Sequence, residues 1–130
     1  MRRWGIVTEL YDGAPYSYFA IAPEGGLVFT AGACPLDADG DTVAPGDFAA
    51  QSARCVENLL AALAAAGSGL ERVLKTTIFV ASSDRDDLVE AWNEIERVFG
   101  TDAPPATLLG VAALGYPGQL VEIEAIAMRR

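Results

Sequence analysis

The chain has 130 residues, a length that predicts a single domain over residues 1–130 because it can bury one good core but hardly two. Hydrophobic residues make up 52% of it, which is enough apolar surface to fold and excludes an intrinsically disordered protein. Nine Lys and Arg residues against 18 Asp and Glu residues leave a formal net charge of -9, which repels a phosphate backbone and argues against nucleic acid as a partner.

The first third of the chain predicts three strands separated by turns. They are RWGIVTEL (3–10), YSYFAIA (16–22) and GLVFTAGA (26–33), divided by Asp12-Gly13 and by PEGG. The first ten residues lack the apolar core of a signal peptide, and no apolar run reaches the roughly 18 to 20 residues that span a bilayer. We therefore expect a cytoplasmic protein without a membrane partner.

Two helices follow, with a strand between them. The first is predicted from a cap at Asp47 to Gly67, and its apolar residues recur at helical spacing. RVLKTTIFVAS (72–82) is rich in β-branched residues and predicts a strand. The second helix is predicted from a cap at Ser83 or Asp84 to Gly100, with one apolar face of Leu88, Trp92, Ile95 and Phe99.

The last two predicted strands are ATLLGVAAL (106–114) and LVEIEAIAM (120–128). The order of elements predicts an α+β fold, with two helices on one face of a mixed sheet of about six strands. ATLLGVAAL lacks polar alternation, so both of its faces should be covered by protein. Its one hydroxyl, Thr107, then either bonds a nearby backbone group or lines a pocket.

In the final strand, alternation places Val121, Ile123, Ala125 and Ala127 on one face and Glu122, Glu124 and Ile126 on the other. Two glutamates beside an isoleucine allow two interpretations of that second face. Both carboxylates are solvated, or the face meets a neighbouring subunit and Glu122 holds a water or a substrate proton in a cleft.

The residue types restrict the possible chemistry. The chain has no histidine, which removes the commonest general base and metal ligand. Cys34 and Cys55 are the only cysteines and lack metal-type spacing, so neither a disulfide framework nor a zinc site is expected. Tyr16 either packs against its neighbours or borders a pocket. Cys34 would need a cation or a helix N-terminus beside it to act as a reactive thiol. Lys75 is expected to extend its ammonium group to solvent.

Six segments occur in the order seen in one known family: APYSY, VFTAGACPLDADG, AAQSARCVENLLAALAAAG, RVLKTTIFV, WNEIERVF and VEIEAIAMRR. Over about residues 14–130 the chain resembles the reactive intermediate deaminase (Rid) family, also called YjgF-type or endoribonuclease L-PSP-like. The resemblance implies a chorismate-mutase-like fold, a homotrimer and a small-molecule pocket at each subunit interface. Active members hydrolyse enamines and 2-imino acids to 2-keto acids and ammonia, with no metal or organic cofactor.

The resemblance also implies the site residues. In active members an arginine in a P-A-R motif grips the substrate carboxylate, and here the segment is PPAT, so Thr107 takes the place of the arginine. Glu122 matches the glutamate associated with the attacking water. The other implied pocket positions are Tyr16 beside the substrate, Gly32 whose backbone approaches it, Ala31 where serine is common, Leu109 where a small polar residue or cysteine is common, and Asn93 on the second helix.

A threonine hydroxyl cannot replace a fixed positive charge, so we expect ordinary 2-imino acids to bind poorly. If the chain is an enzyme, hydrolysis of an enamine, imine or related C–N bond is the expected class of reaction. A trimer that binds a metabolite without catalysis, or acts like a chaperone, is the alternative. Ribonuclease activity follows from the family name only, and the negative charge opposes it. A neighbouring subunit supplying Arg54, Arg72 or Arg97 would restore the missing cation.

Overall fold

The computed structural model describes residues 7–16, 18–21, 26–100 and 103–130. Within these ranges one sheet of five strands, ordered β1-β2-β5-β3-β4, packs against two α-helices. β3 and β4 are parallel and the other neighbours are antiparallel, so the predicted α+β fold with a mixed sheet is confirmed. The elements are β1 (Phe19–Ile21), β2 (Leu27–Thr30), α1 (Phe48–Ala65), a 3₁₀ turn (Leu70–Arg72), β3 (Val73–Val80), α2 (Arg85–Phe99), β4 (Ala106–Gly110) and β5 (Val121–Met128).

The number of strands differs from the prediction of about six. Residues 3–6 of the predicted first strand lie outside the described residues, as does most of the PEGG turn. Val7 to Leu10 form a turn, in which the backbone N–H of Leu10 donates to the carbonyl of Val7 at 3.1 Å. β1 and β2 lie within the predicted strands YSYFAIA and GLVFTAGA, and they pair antiparallel.

The helix ends follow from local capping. The side chain of Asp47 accepts a hydrogen bond from the backbone N–H of Ala50 at 2.9 Å, and Asp84, rather than Ser83, caps α2 by accepting from Asp86 at 2.9 Å. Gly100 follows α2 with a φ of 72°, a left-handed conformation that favours glycine. None of the helices described is long and apolar enough to cross a membrane.

The two faces of the sheet differ, as the alternation of β5 predicts. Its residues Val121, Ile123, Ala125 and Ala127 are buried against the helices. Glu122, Glu124 and Ile126 point to the opposite face, which the helices leave uncovered. We call this second side the open face of the sheet.

The expectation that both faces of ATLLGVAAL are covered is wrong for the single chain. β4 is an edge strand of the described sheet, it ends at Gly110, and Thr107 and Leu109 are exposed. A strand without polar alternation can be covered on both faces by its own chain, or on one face by a second copy of the chain. The sequence of the strand is the same in both cases. Leu109 shares the open face with Phe29 and Met128, and 42 to 45% of each of these side chains is exposed.

Two threonines of the sheet differ in how their hydroxyls are satisfied. Thr76, on the helix-facing side of β3, is buried, and within the described ranges its Oγ1 has no hydrogen-bond partner. In contrast, Oγ1 of Thr30 accepts a hydrogen bond from the backbone N–H of Ala125 at 2.9 Å. A buried hydroxyl without a partner is destabilising, whereas a bonded one is not.

We therefore expect Thr76→Val to raise the free energy of unfolding by about 1 kcal/mol, because valine has the same shape without the hydroxyl. Thr30→Val is the matched control and should lower it by about 1 to 2 kcal/mol, since the N–H of Ala125 loses its acceptor. Urea unfolding at one fixed protein concentration measures both changes. A clear loss of stability in Thr76→Val would contradict the assignment.

Candidate functional site

Glu122 lies on the open face of β5, beside the segment that follows β2. That segment is tied to β5 by two backbone hydrogen bonds between Ala33 and Ile123, at 2.7 and 3.1 Å. A Cβ atom placed on Gly32 would lie 2.1 Å from Oε2 of Glu122. The backbone at residue 32 therefore approaches the carboxylate so closely that only glycine fits there without movement.

The other carboxylate oxygen of Glu122 is held by two side chains. Oε1 accepts a hydrogen bond from the thiol of Cys34 at 3.3 Å and from the amide Nε2 of Gln119 at 3.1 Å. The sequence predicted neither contact. Gln119 comes from the loop before β5 and only 4% of it is exposed.

Two tyrosine hydroxyl groups lie next to each other near Cys34. The hydroxyl groups of Tyr16 and Tyr116 are 3.0 Å apart, and the hydroxyl of Tyr16 is 4.0 Å from the sulfur of Cys34. Burial raises the pKa of Tyr16 well above its usual value, so its phenol remains a neutral hydrogen-bonding group. A hollow beside it is lined by Ala31, Tyr18, Asn58 and others.

Four predicted site residues thus lie together: Tyr16, Ala31, Gly32 and Glu122. With Cys34, Gln119 and Tyr116, which the sequence did not predict as partners, we call them the Glu122 cluster. Among the described residues, no three or more Cys, Asp or Glu side chains gather closely enough to bind a metal ion.

The other predicted site residues lie elsewhere in the single chain. Leu109 pairs with Phe79, which pairs with Glu122, so Leu109 lies in the same row of the open face, two strands or about 10 Å away. Thr107 lies in the next row, beside Thr77. Asn93 is exposed on α2 near Arg97 and Gly100, on the helix side of the sheet. Their role at a common pocket stays a prediction.

A cation stands beside Thr107. Nζ of Lys75, the only lysine in the chain, donates a hydrogen bond to Oγ1 of Thr107 at 2.5 Å, and its side chain is half-buried. The contact is exposed, so the ammonium group extends to the surface of the single chain as expected and also bonds the hydroxyl of Thr107. Because β3 and β4 are neighbours, Lys75 reaches across from its own strand.

The three arginines considered as replacements have other partners in this chain. Arg97 forms an ion pair with Glu94 at 2.6 Å. Arg54 lies 3.5 Å from Glu57, and Arg72 donates to the backbone of Arg129 at 3.3 Å.

Cys34 serves as a hydrogen-bond donor and is a poor nucleophile. Burial, assisted by the negative charge of Glu122, raises the pKa of its thiol to about 12. Burial also raises the pKa of Cys55 well above its usual value. Both thiols are therefore protonated at neutral pH, and the nucleophilic thiolate is absent.

Comparison with known proteins identifies relatives over nearly the whole chain. The family model described as Endoribonuclease L-PSP matches residues 7–129. The RutC family protein UK114 of Drosophila melanogaster is 39% identical over 116 residues, which cover 88% of this chain and 80% of that protein. The 2-iminobutanoate/2-iminopropanoate deaminase of Salmonella typhimurium is 34% identical over 128 residues, covering 96% and 97%. The crystal structure of the YjgF gene product from E. coli aligns with a TM-score of 0.81 at 29% identity and covers 100% of both chains.

The raised pKa values predict how the cysteines respond to pH. At pH 8.5 we expect iodoacetamide to label Cys34 and Cys55 far more slowly in the folded protein than in urea, because only the unfolded chain holds much thiolate. Between about pH 9 and 12 the unfolded chain loses protons that the folded protein keeps at Cys34, so the free energy of unfolding should fall as the pH rises.

Mass spectrometry of tryptic peptides measures the labelling, and a Cys34→Ser variant isolates the signal of Cys55. Rapid labelling of Cys34 in the folded protein would contradict the assignment of this thiol as a protonated donor.

Proposed function

Because the chain belongs to the endoribonuclease L-PSP family, also called the Rid or YjgF family, we propose that it hydrolyses the C–N bond of a small enamine or imine. The Salmonella relative is named as a 2-iminobutanoate/2-iminopropanoate deaminase, which supports this class of reaction. The observation that carries the proposal is the Glu122 carboxylate, which lies against the backbone of Gly32 and bonds Cys34, whose sulfur in turn lies near the phenol of Tyr16.

The reaction is a hydrolysis that consumes one water. Glu122 orients the water and accepts one of its protons while the water oxygen bonds to the imine carbon. The π electrons of the C=N bond and that proton go to the nitrogen, which gives a carbinolamine. Its hydroxyl group then gives up the second proton of the water to the nitrogen as the C–N bond breaks, and a carbonyl compound and ammonia leave. An enamine first gains a proton at carbon and loses one at nitrogen to become the imine. The phenol of Tyr16 can donate a hydrogen bond to the reacting group. No electron is transferred, so neither an oxidant nor a reductant is needed.

We propose that the working protein is a homotrimer with its small-molecule pockets at the subunit interfaces. Phe29, Leu109 and Met128 expose apolar surface on the open face, and such a surface favours coverage by another copy. β4 is an edge strand whose outer side has no strand partner in the described chain. In such an assembly Thr107 and Leu109 of one copy would line a pocket with the Glu122 cluster of the next.

The substrate class depends on the place that the family arginine would occupy. There the chain has Thr107, with the ammonium group of Lys75 bonded to it. A single ammonium group attracts a carboxylate but cannot form the bidentate pair that a guanidinium forms. We therefore propose weak binding of 2-imino acids, through Lys75, and better use of ligands that depend less on carboxylate recognition.

A trimer that binds a metabolite without catalysis remains the second candidate, because Thr107 stands where the arginine of active members would be. Ligand-dependent thermal stabilisation without turnover, across a panel of enamines, imines and amides, would support it.

The substrate proposal is tested with 2-iminopropanoate and 2-iminobutanoate generated by an amino-acid oxidase. We expect Thr107→Arg to raise kcat/KM roughly 10- to 100-fold, because a charged hydrogen bond to the carboxylate contributes about 1.5 to 3 kcal/mol. Thr107→Gln, of similar reach without charge, should not raise it. Lys75→Met should lower the activity of the native sequence, and Glu122→Gln should lower it roughly 100- to 10,000-fold, to a small residual rate. Wild-type turnover as fast as that of Thr107→Arg would contradict the proposal.

The assembly proposal is tested by light scattering after size exclusion. We expect the mass of three chains for the native sequence and a smaller mass for Leu109→Asp, because a carboxylate would be buried in the interface. Val89→Asp is the matched control: Val89 is 46% exposed, close to the 42% of Leu109, but lies on α2. Equal masses for both variants would contradict the open face as the interface.

A further inference from the structure

We propose that Gln119 is a positioning residue, which with Cys34 holds one oxygen of Glu122 so that the other oxygen receives the proton of the water. This inference rests on the proposed hydrolysis at Glu122. It adds which atom of the carboxylate acts and which side chains hold it in place.

The two oxygens of Glu122 have different surroundings. Oε1 accepts both hydrogen bonds, from the thiol of Cys34 at 3.3 Å and from Nε2 of Gln119 at 3.1 Å. Among the described residues no group donates a hydrogen bond to Oε2. A carboxylate oxygen that already accepts two donors is a poor proton acceptor, so the base is Oε2.

The orientation of the Gln119 amide is determined by its own bonds. Its Oε1 accepts from the backbone N–H of Tyr116 at 3.1 Å, and its Nε2 donates to the carbonyl of Val121 at 3.0 Å. If the amide were reversed, its oxygen would face the carbonyl oxygen of Val121 and its NH2 group would face the N–H of Tyr116, so both hydrogen bonds would be lost. The Nε2 group must therefore face Glu122.

The loop that carries Gln119 is itself anchored to α1. Gln51 is fully buried, its Oε1 accepts from the backbone N–H of Leu120 at 2.8 Å, and its Nε2 donates to the carbonyl of Gly118 at 3.0 Å. The backbone on both sides of Gln119 is thus fixed. A residue held in this way can maintain the angle of a carboxylate through a reaction.

Oε2 lies on the side of the carboxylate that faces the backbone of Gly32. It occupies the space in which a side chain at residue 32 would begin, because a Cβ on Gly32 would lie 2.1 Å from it. The hydroxyls of Tyr16 and Tyr116 border the same cluster, and Gln119 also bonds the backbone of Tyr116. The side-chain amide of Gln119 therefore bonds both the carboxylate of Glu122 and the backbone of Tyr116, which carries one of the two phenols.

The first test is structural. In a crystal structure of Gln119→Met, an apolar residue of similar length, we expect the Glu122 carboxylate to rotate or to adopt more than one conformation. A carboxylate that keeps the wild-type position, with Oε1 still on Cys34, would overturn the inference whether or not any substrate is turned over.

The second test is a double-mutant cycle, run with whichever of 2-iminopropanoate and 2-iminobutanoate the wild-type protein turns over faster. Gln119→Met should lower kcat roughly tenfold with little change in KM, and should have no further effect in a Glu122→Gln background. Cys34→Ser keeps a donor and should lose less activity than Cys34→Ala. Losses that add in the double variant would overturn the inference. Equal turnover by the native sequence and Glu122→Gln would instead refute the proposed function.

Discussion

The pairing of β5 on both of its edges is the constraint on which the rest of the structure depends. Because β5 lies between β2 and β3, a slip by one residue would expose the buried Val121 and Ile123 and bury Glu122 among the helices. The register therefore places the carboxylate on the open face. Through the bridge between Ala33 and Ile123, the same register also places Gly32 beside the carboxylate of Glu122.

The helices and the two faces of the sheet could be predicted because their signals are local. Asp47 and Asp84 cap the helices through N–H groups two or three residues away, and Gly100 ends α2 with its own backbone conformation. The alternation of β5 needs no knowledge of the neighbouring strands. The exposure of β4 could not be predicted in the same way, because an apolar run does not say whether its cover comes from its own chain.

The contacts of the site depend on strand order, which the sequence pattern does not contain. The bond from Lys75 to Thr107 spans 32 positions and that from Cys34 to Glu122 spans 88. Considered alone, Cys34 raised the possibility of a nucleophile, and only its position beside a carboxylate identifies it as a donor. Gln119 is three residues from Glu122, so a polar residue in the loop before the final strand was the one signal that could have revealed it.

In the proposed assembly two copies of the chain share one site, with the Glu122 cluster from one and the Lys75–Thr107 pair from the other. A crystal structure of the assembled protein tests this most directly. The account predicts that the ammonium group of Lys75 and the carboxylate of Glu122 from adjacent copies face the same cleft, close enough to bind one small molecule. An assembly whose copies meet through the helices, with the open face of the sheet left in solvent, would contradict it.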